Sequence, residues 1–174
     1  MKKFNRKFCI LIIIITVSLS GCGYHFGRGT GAVPLKVTKL YVPVFTNLTN
    51  EVAIEDFFTS AMRKTIADSS DAELVSKADA EGIVDGTITS YSSVPVFFSG
   101  AGIASVYRLT ITINIKLVQI ITSKTLWEMK GLTESLDFYP VNDPLLTKER
   151  EHNTIDLLAV SLCQRAFDAM HSNF

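Results

Sequence analysis

Three histidines, three cysteines and seventeen acidic side chains are the groups in this 174-residue sequence that could move protons, attack a carbonyl or hold a metal. His25 lies in a glycine-rich stretch, His152 inside a helical pattern, and His171 near the end of that pattern. They lack the i, i+4 pairing and the Cys/His spacing that a metal site requires. Cys163 falls on or beside an apolar helical stripe, where a cysteine acts as a small buried hydrophobe rather than a nucleophile. There is no G-x-S-x-G elbow, no Walker loop and no convincing pair of carboxylates. "GRGTG" (27–31) has the glycines of a phosphate loop, but no strand pattern precedes it and no helix pattern follows. "EVAIED" and "KERE" have the composition of solvated helix faces. These residues predict a protein that is not an enzyme and implies no cofactor.

Two segments are better suited to binding. "SSVPVFFSGAGIAS" (92–105) places Val94, Val96, Phe97, Phe98 and Ile103 among small residues. Loops are ordinarily polar, so exposed aromatics there would signal a partner or an apolar ligand; a loop folded back on the core is the alternative. "TKERE" puts Lys148 and Arg150 in the opening turns of a helix, where a mixed-charge solvated face is the alternative.

A third kind of chemistry belongs to Cys22. Lys2, Lys3, Arg6 and Lys7 precede a short apolar run, Phe8 to Ser20. A helix of that length spans about 20 Å, short of a hydrocarbon core of roughly 30 Å. Basic head, apolar middle and small-residue end describe a secretory signal over residues 1–21. Leu19-Ser20-Gly21-Cys22 resembles the lipobox of bacterial lipoproteins. That resemblance implies cleavage before Cys22 and acylation of its thiol and freed amine; two or more chains hold a protein on a bilayer where one is marginal. Gly23, where enteric inner-membrane lipoproteins carry aspartate, points to the outer membrane, lipid-anchored in the inner leaflet on the periplasmic side. Loss of the four basic signal residues leaves 13 basic against 17 acidic side chains, a balance that argues against a nucleic-acid partner. Cys9 leaves with the signal and Cys22 is modified, so Cys163 has no disulfide partner in the mature chain.

The elements that must position these groups follow from periodicity. Residues 22–36 read as a glycine-rich tether in which Tyr24, His25 and Phe26 stand apart. Residues 37–174 read as one domain. "VTKLYVPVF" alternates as a strand with Leu40, Val42 and Val44 on one face, and Pro43 suggests an edge strand or a free side. A helix from about Asn50 to Asp68 carries a stripe of Ile54, Phe57, Phe58, Ala61 and Thr65. A weaker strand around 80–94 is interrupted by Gly82 and Gly86. The run 105–121 alternates clearly, with Tyr107, Leu109, Ile111, Ile113, Ile115 and Leu117 on one side. Its hairpin partner spans "TLWEMKGLTESLDFY", where Gly131 marks a bulge that resets the register. Asp143-Pro144 opens a second helix reaching about Ser172, with a stripe of Ile155, Leu158, Ala159, Leu162, Ala166 and Ala169. The expected fold is α+β: a four-stranded mixed sheet in the order β-α-β-β-β-α, with both amphipathic helices on one face.

The order of "GCGYHFGRG", "VPLKVTKLYVPVF", "VFFSGAGIASVYRLTITINIKLV" and "DFYPVNDPLLTKEREHNTIDLLAVSLCQRAFDAM" resembles the LptE family, outer-membrane lipoproteins of lipopolysaccharide assembly. The resemblance covers most of the mature chain. It implies a plug-like partner of the large LptD β-barrel translocon that sits in the barrel, supports it and contacts lipopolysaccharide. Members studied for that contact carry a lysine early in the second helix, which Lys148 matches. They also carry an arginine after a valine-phenylalanine pair in the turn, where this sequence has Phe98 after Val96-Phe97. Arg150 or Arg108 is then the candidate for a second charge. A different reading is a periplasmic lipoprotein that regulates a peptidoglycan synthase. That role favours a long linker, and about fifteen residues of tether are short for crossing a periplasm.

Overall fold

The computed structural model describes residues 37–100 and 102–172. The signal segment 1–21, Cys22 and the tether with Tyr24, His25 and Phe26 lie outside the described residues. The elements run β1 (Lys39–Tyr41), β2 (Thr46–Asn47), α1 (Ile54–Ala67), β3 (Glu73–Leu74), β4 (Gly82–Phe98), β5 (Ala104–Gln119), β6 (Thr125–Phe138) and α2 (Pro144–Ser172). Among the described residues the sheet has six strands, ordered β3-β1-β4-β5-β6, with β2 also on β4. It is mixed, as expected: β1 runs parallel to β3 and β4, and β2 parallel to β4, while β4, β5 and β6 form an antiparallel meander. The four-strand expectation is corrected by β2 and β3. Each has two residues, too few to show any period.

The first segment departs from its sequence pattern for a local reason. β1 lies between β3 and β4 and is not an edge. Pro43 falls in the gap between β1 and β2, where the ladder to β4 is broken. Beyond that break Phe45, not Val44, turns inward: Phe45 is buried and Val44 is 58% exposed. The Phe45 ring rests on β4 at Gly86, where an added methyl would overlap it. Gly82 likewise leaves room for Val37. The two glycines therefore do not interrupt β4; they admit the first segment onto it.

α1 begins at Ile54, four residues later than expected. Asn47 Oδ1 accepts from the Thr49 amide at 2.9 Å, and its Nδ2 donates to the Glu51 carbonyl at 2.8 Å, shaping a loop instead. Ala53 then takes a left-handed conformation, φ 62°, immediately before the helix. Ile54, Phe58, Ala61, Met62 and Ile66 form the buried stripe, with Phe57 and Thr65 half-buried beside it.

The meander and second helix follow the sequence closely. Leu109, Ile111, Ile113, Ile115 and Leu117 are all buried, each worth about 1.5–3 kcal/mol of apolar transfer before entropy is counted. At Gly131, φ 68°, Lys130 and Gly131 together oppose Asn114, whose Oδ1 accepts the Gly131 amide at 2.8 Å. That bulge puts Leu132 opposite Ile113 and on the same face as Met129 and Trp127. Asp143 Oδ1 caps α2 by accepting from the Leu145 and Leu146 amides at 2.8 and 3.3 Å. Ile155, Leu158, Ala159, Leu162, Cys163 and Ala166 bury against the sheet and α1. Glu134 on β6 accepts from Ser161 at 2.8 Å and from Arg165 at 3.2 Å on α2.

Both helices cover one face of the sheet. The other is polar: Thr110 pairs with Ser135 at 2.7 Å, Thr112 with Thr133 at 2.9 Å, and Arg108 with Asp137 at 2.7 Å. The Arg108 guanidinium holds the Asp137 carboxyl below the usual carboxylate range.

Candidate functional site

β4 and β5 outrun the strands beside them. β2 pairs with β4 only as far as Ile88, and β6 ends at Phe138, opposite Tyr107. Beyond those points Val94–Phe98 and Ala104–Val106 continue as a two-stranded arm, paired through Phe97 with Val106 and Phe98 with Ala104. Its turn is closed by the Ser99 amide donating to the Ile103 carbonyl at 2.8 Å, with Gly102 at φ 75°. Of the segment read as a loop or strand extension, the part up to Phe98 and the part from Ala104 are strand. Phe97, Phe98 and Ile103 are 61, 60 and 68% exposed on it.

Between the arm and the start of α2 lies a cleft of about 480 Å³. Ile103, Ala104 and Tyr107 from the arm side meet Phe138, Pro140 and Val141 from the β6–α2 connection, with Lys148 and Glu151 from α2. Tyr107 and Phe138 stack with ring centroids 5.5 Å apart. Thr147 Oγ1 holds the connection by accepting from the Val141 amide at 3.0 Å.

Lys148 and Arg150 are separated by the helix. The Lys148 ammonium donates to Glu51 Oε1 at 2.8 Å and to Glu151 Oε2 at 3.0 Å. Glu151 Oε1 in turn accepts from the Tyr91 hydroxyl at 2.7 Å. Arg150, two residues on, points instead to the Tyr139 carbonyl, 2.9 Å away. Burial works against the Lys148 charge, but its two carboxylate partners outweigh it and hold its pKa above the ordinary value. Burial also opposes ionisation of Glu151, yet hydrogen bonds from Tyr91 and Lys148 keep that carboxyl below its usual range. Tyr91 is pushed up, first by burial and then by Glu151.

Of the residues singled out from sequence, Lys148 lines the cleft, Phe97 and Phe98 stand on the arm beyond it, and Arg150, on α2, reaches back to the connection at Tyr139. Cys22 lies outside the described residues. Sequence reasoning missed Tyr91, Glu51 and Glu151 as a unit. Glu151 was within reach as the i+3 neighbour of Lys148. Tyr91 and Glu51 lie in distant segments and carried no signal.

The profile of the LptE family, lipopolysaccharide-assembly, matches residues 37–170. No curated protein sequence matches significantly. Among solved structures, a minor lipoprotein from Acinetobacter baumannii is similar with TM-score 0.53 at 13% identity, covering 80% of this chain and 95% of that one. The rare lipoprotein B of Shewanella oneidensis gives 0.50 at 12%, covering 78% and 95%. A dodecameric PelC variant from Paraburkholderia phytofirmans gives 0.52 at 12%, covering 77% and 88%. At these identities the structures share the fold. The family profile spans the domain from the first residue described to the last turn of α2, and this chain is a member of the LptE lipopolysaccharide-assembly family.

Proposed function

We propose that this chain is an outer-membrane lipoprotein, fastened through Cys22 on the periplasmic side, that plugs and supports an LptD-type β-barrel. In that position it assists lipopolysaccharide insertion into the outer leaflet. The observation that carries this reading is the family match over residues 37–170. The uncovered sheet face supports it. A surface of paired hydroxyls and ion pairs suits the polar interior of a large barrel, where an apolar face would not. The cleft and arm at one end supply an apolar surface for the lipid. The role is binding and support rather than bond-making.

The test is purification of a C-terminally tagged, lipidated protein from its native membranes, with mass spectrometry of what accompanies it. The expected result is a stoichiometric LptD-type barrel. Recovery with a peptidoglycan synthase, or with no membrane protein, overturns the proposal.

A further inference from the structure

The uncovered sheet face is a lattice of side chains set by cross-strand register. Ser92, Thr110 and Ser135 form one row across β4, β5 and β6, and Ser90, Thr112 and Thr133 form the next. A third row holds Thr87 and Asn114 and ends on the Gly131 bulge. Charges begin only beyond these rows, with Arg108 and Asp137 toward the arm and Lys116 and Asp85 at the other end. Both cations are already held: Arg108 is bidentate to Asp137, and Lys116 lies 3.1 Å from Asp85. Toward the arm the face ends in a hollow of about 400 Å³ lined by Arg108, Ser135, Leu136, Asp137 and Tyr139. The Tyr139 side of this hollow is open to solvent, with the residue 62% exposed.

That composition selects among ligands. The cations bounding the rows are neutralised, so a phosphate finds no charge to meet. Acyl chains would strip water from the hydroxyls and give nothing back. The core of a protein interface is rich in apolar and aromatic groups, and these rows have none. Hydroxyls match other hydroxyls. In the Thr110–Ser135 and Thr112–Thr133 pairs one O–H is spent on the partner, so each pair keeps a second O–H and free lone pairs for the outside. At the hollow, Arg108 has N–H groups beyond the two given to Asp137, and Tyr139 offers a ring with a polar tip.

We infer that this face binds an uncharged sugar chain, with the Tyr139 hollow taking one ring and the hydroxyl rows carrying the units that follow. This rests on the proposed function and names the saccharide of lipopolysaccharide as what meets the sheet, on the side opposite the two helices. Each contact exchanges a water for a sugar hydroxyl at small net gain, so the chain is held weakly at many points and can move along the rows.

The experiment uses the lipidated full chain in detergent, with threonine methyl groups labelled for NMR. The ligand is the neutral fraction of the sugar chain cut by mild acid from native lipopolysaccharide. Thr110, Thr112 and Thr133 should shift saturably, while Thr59 and Thr154, buried in the helix layer, stay still. Thr112→Val together with Thr133→Val keeps shape and strand preference and should weaken binding about tenfold. Tyr139→Ala should weaken it by a similar factor and Tyr139→Trp keep it within about twofold, because the ring is what stacks. Unfolding midpoints of these variants should match that of the parent. Absence of the three methyl shifts, or shifts confined to Thr147 at the start of α2, overturns the inference. So does undiminished binding by the valine pair. A photoreactive side chain in place of Ser90 should crosslink lipopolysaccharide in native membranes; crosslinking to the barrel wall instead assigns the face to protein and overturns the inference. A barrel that co-purifies with a chain binding no sugar removes this inference alone, and sugar binding without a barrel removes the plug alone.

Discussion

The Lys148 ammonium lies 2.8 Å from Glu51 Oε1 across 97 residues of sequence, and that contact ties the start of α2 to the loop before α1. The same ammonium reaches Glu151 at 3.0 Å, so one cation serves two carboxylates that are mostly shielded from water. An isolated exposed pair contributes little to stability. Here two shielded carboxylates would face each other if the cation were removed, so the loss is larger than for a surface pair.

Lys148→Met is therefore expected to destabilise the domain by about 1 kcal/mol at neutral pH. The pH dependence identifies the cause. Glu151 is held below its usual range, so its contribution is present above the unfolded carboxylate pKa and fades as pH falls through the lower folded value. Lys148 is held above its ordinary value, so its contribution persists below about pH 10.4 and fades as pH rises beyond that. Urea unfolding of both proteins across pH should show a stability difference that is widest near neutrality and narrows at both extremes. A difference constant from pH 7 to pH 3 would show that the lysine acts by packing alone.

Gly86 makes a second prediction. A methyl at this position overlaps the Phe45 ring, itself buried and tilted against Phe58 with ring centroids 6.0 Å apart. Phe45 is also fixed by its amide, which donates to the Thr59 hydroxyl at 3.0 Å, so the ring has little room to retreat. Gly86→Ala should cost about 2–3 kcal/mol by overpacking. Combined with Phe45→Ala, which opens the space, it should cost much less than the sum of the two changes. Additive losses in chemical denaturation would mean that the glycine matters for backbone freedom and not for this contact.

What was legible in the sequence was whatever depends on neighbours along the chain. The alternation from Leu109 to Leu117 needs only a pleated strand with one face buried, and it appears unchanged. Asp143 before Pro144 announces its own cap, and Gly131 between two out-of-phase apolar pairs announces a bulge. Cross-chain relationships were not legible. β2 and β3 exist because β4 and β1 offer them edges, not because two residues have a period. Phe45 displaces Val44 from the core because Pro43 breaks the strand and Gly86 leaves a space for the ring. In the candidate site, the apolar character of Phe97 and Phe98 could be read directly. The engagement of Lys148 could not, because Glu51 and Tyr91 reach it from distant segments.

Cys163 supplies the last prediction. Its sulfur is fully buried where α2 meets α1, 3.6 Å from the Phe58 carbonyl, and burial pushes the thiol pKa well up. The thiolate is the nucleophilic form, so both access and ionisation are suppressed together. With Cys9 and Cys22 both replaced by serine, labelling by a disulfide reagent should report Cys163 alone. Reaction is expected only when the two helices separate, at a rate that follows global unfolding as urea is raised. Because α1 and α2 bury a shared face, an opening that exposes Cys163 must also expose Phe58 and Leu162 to water. Prompt labelling of the native protein would mean that α2 peels from α1 without unfolding the sheet. The helix layer would then be a separately moving part.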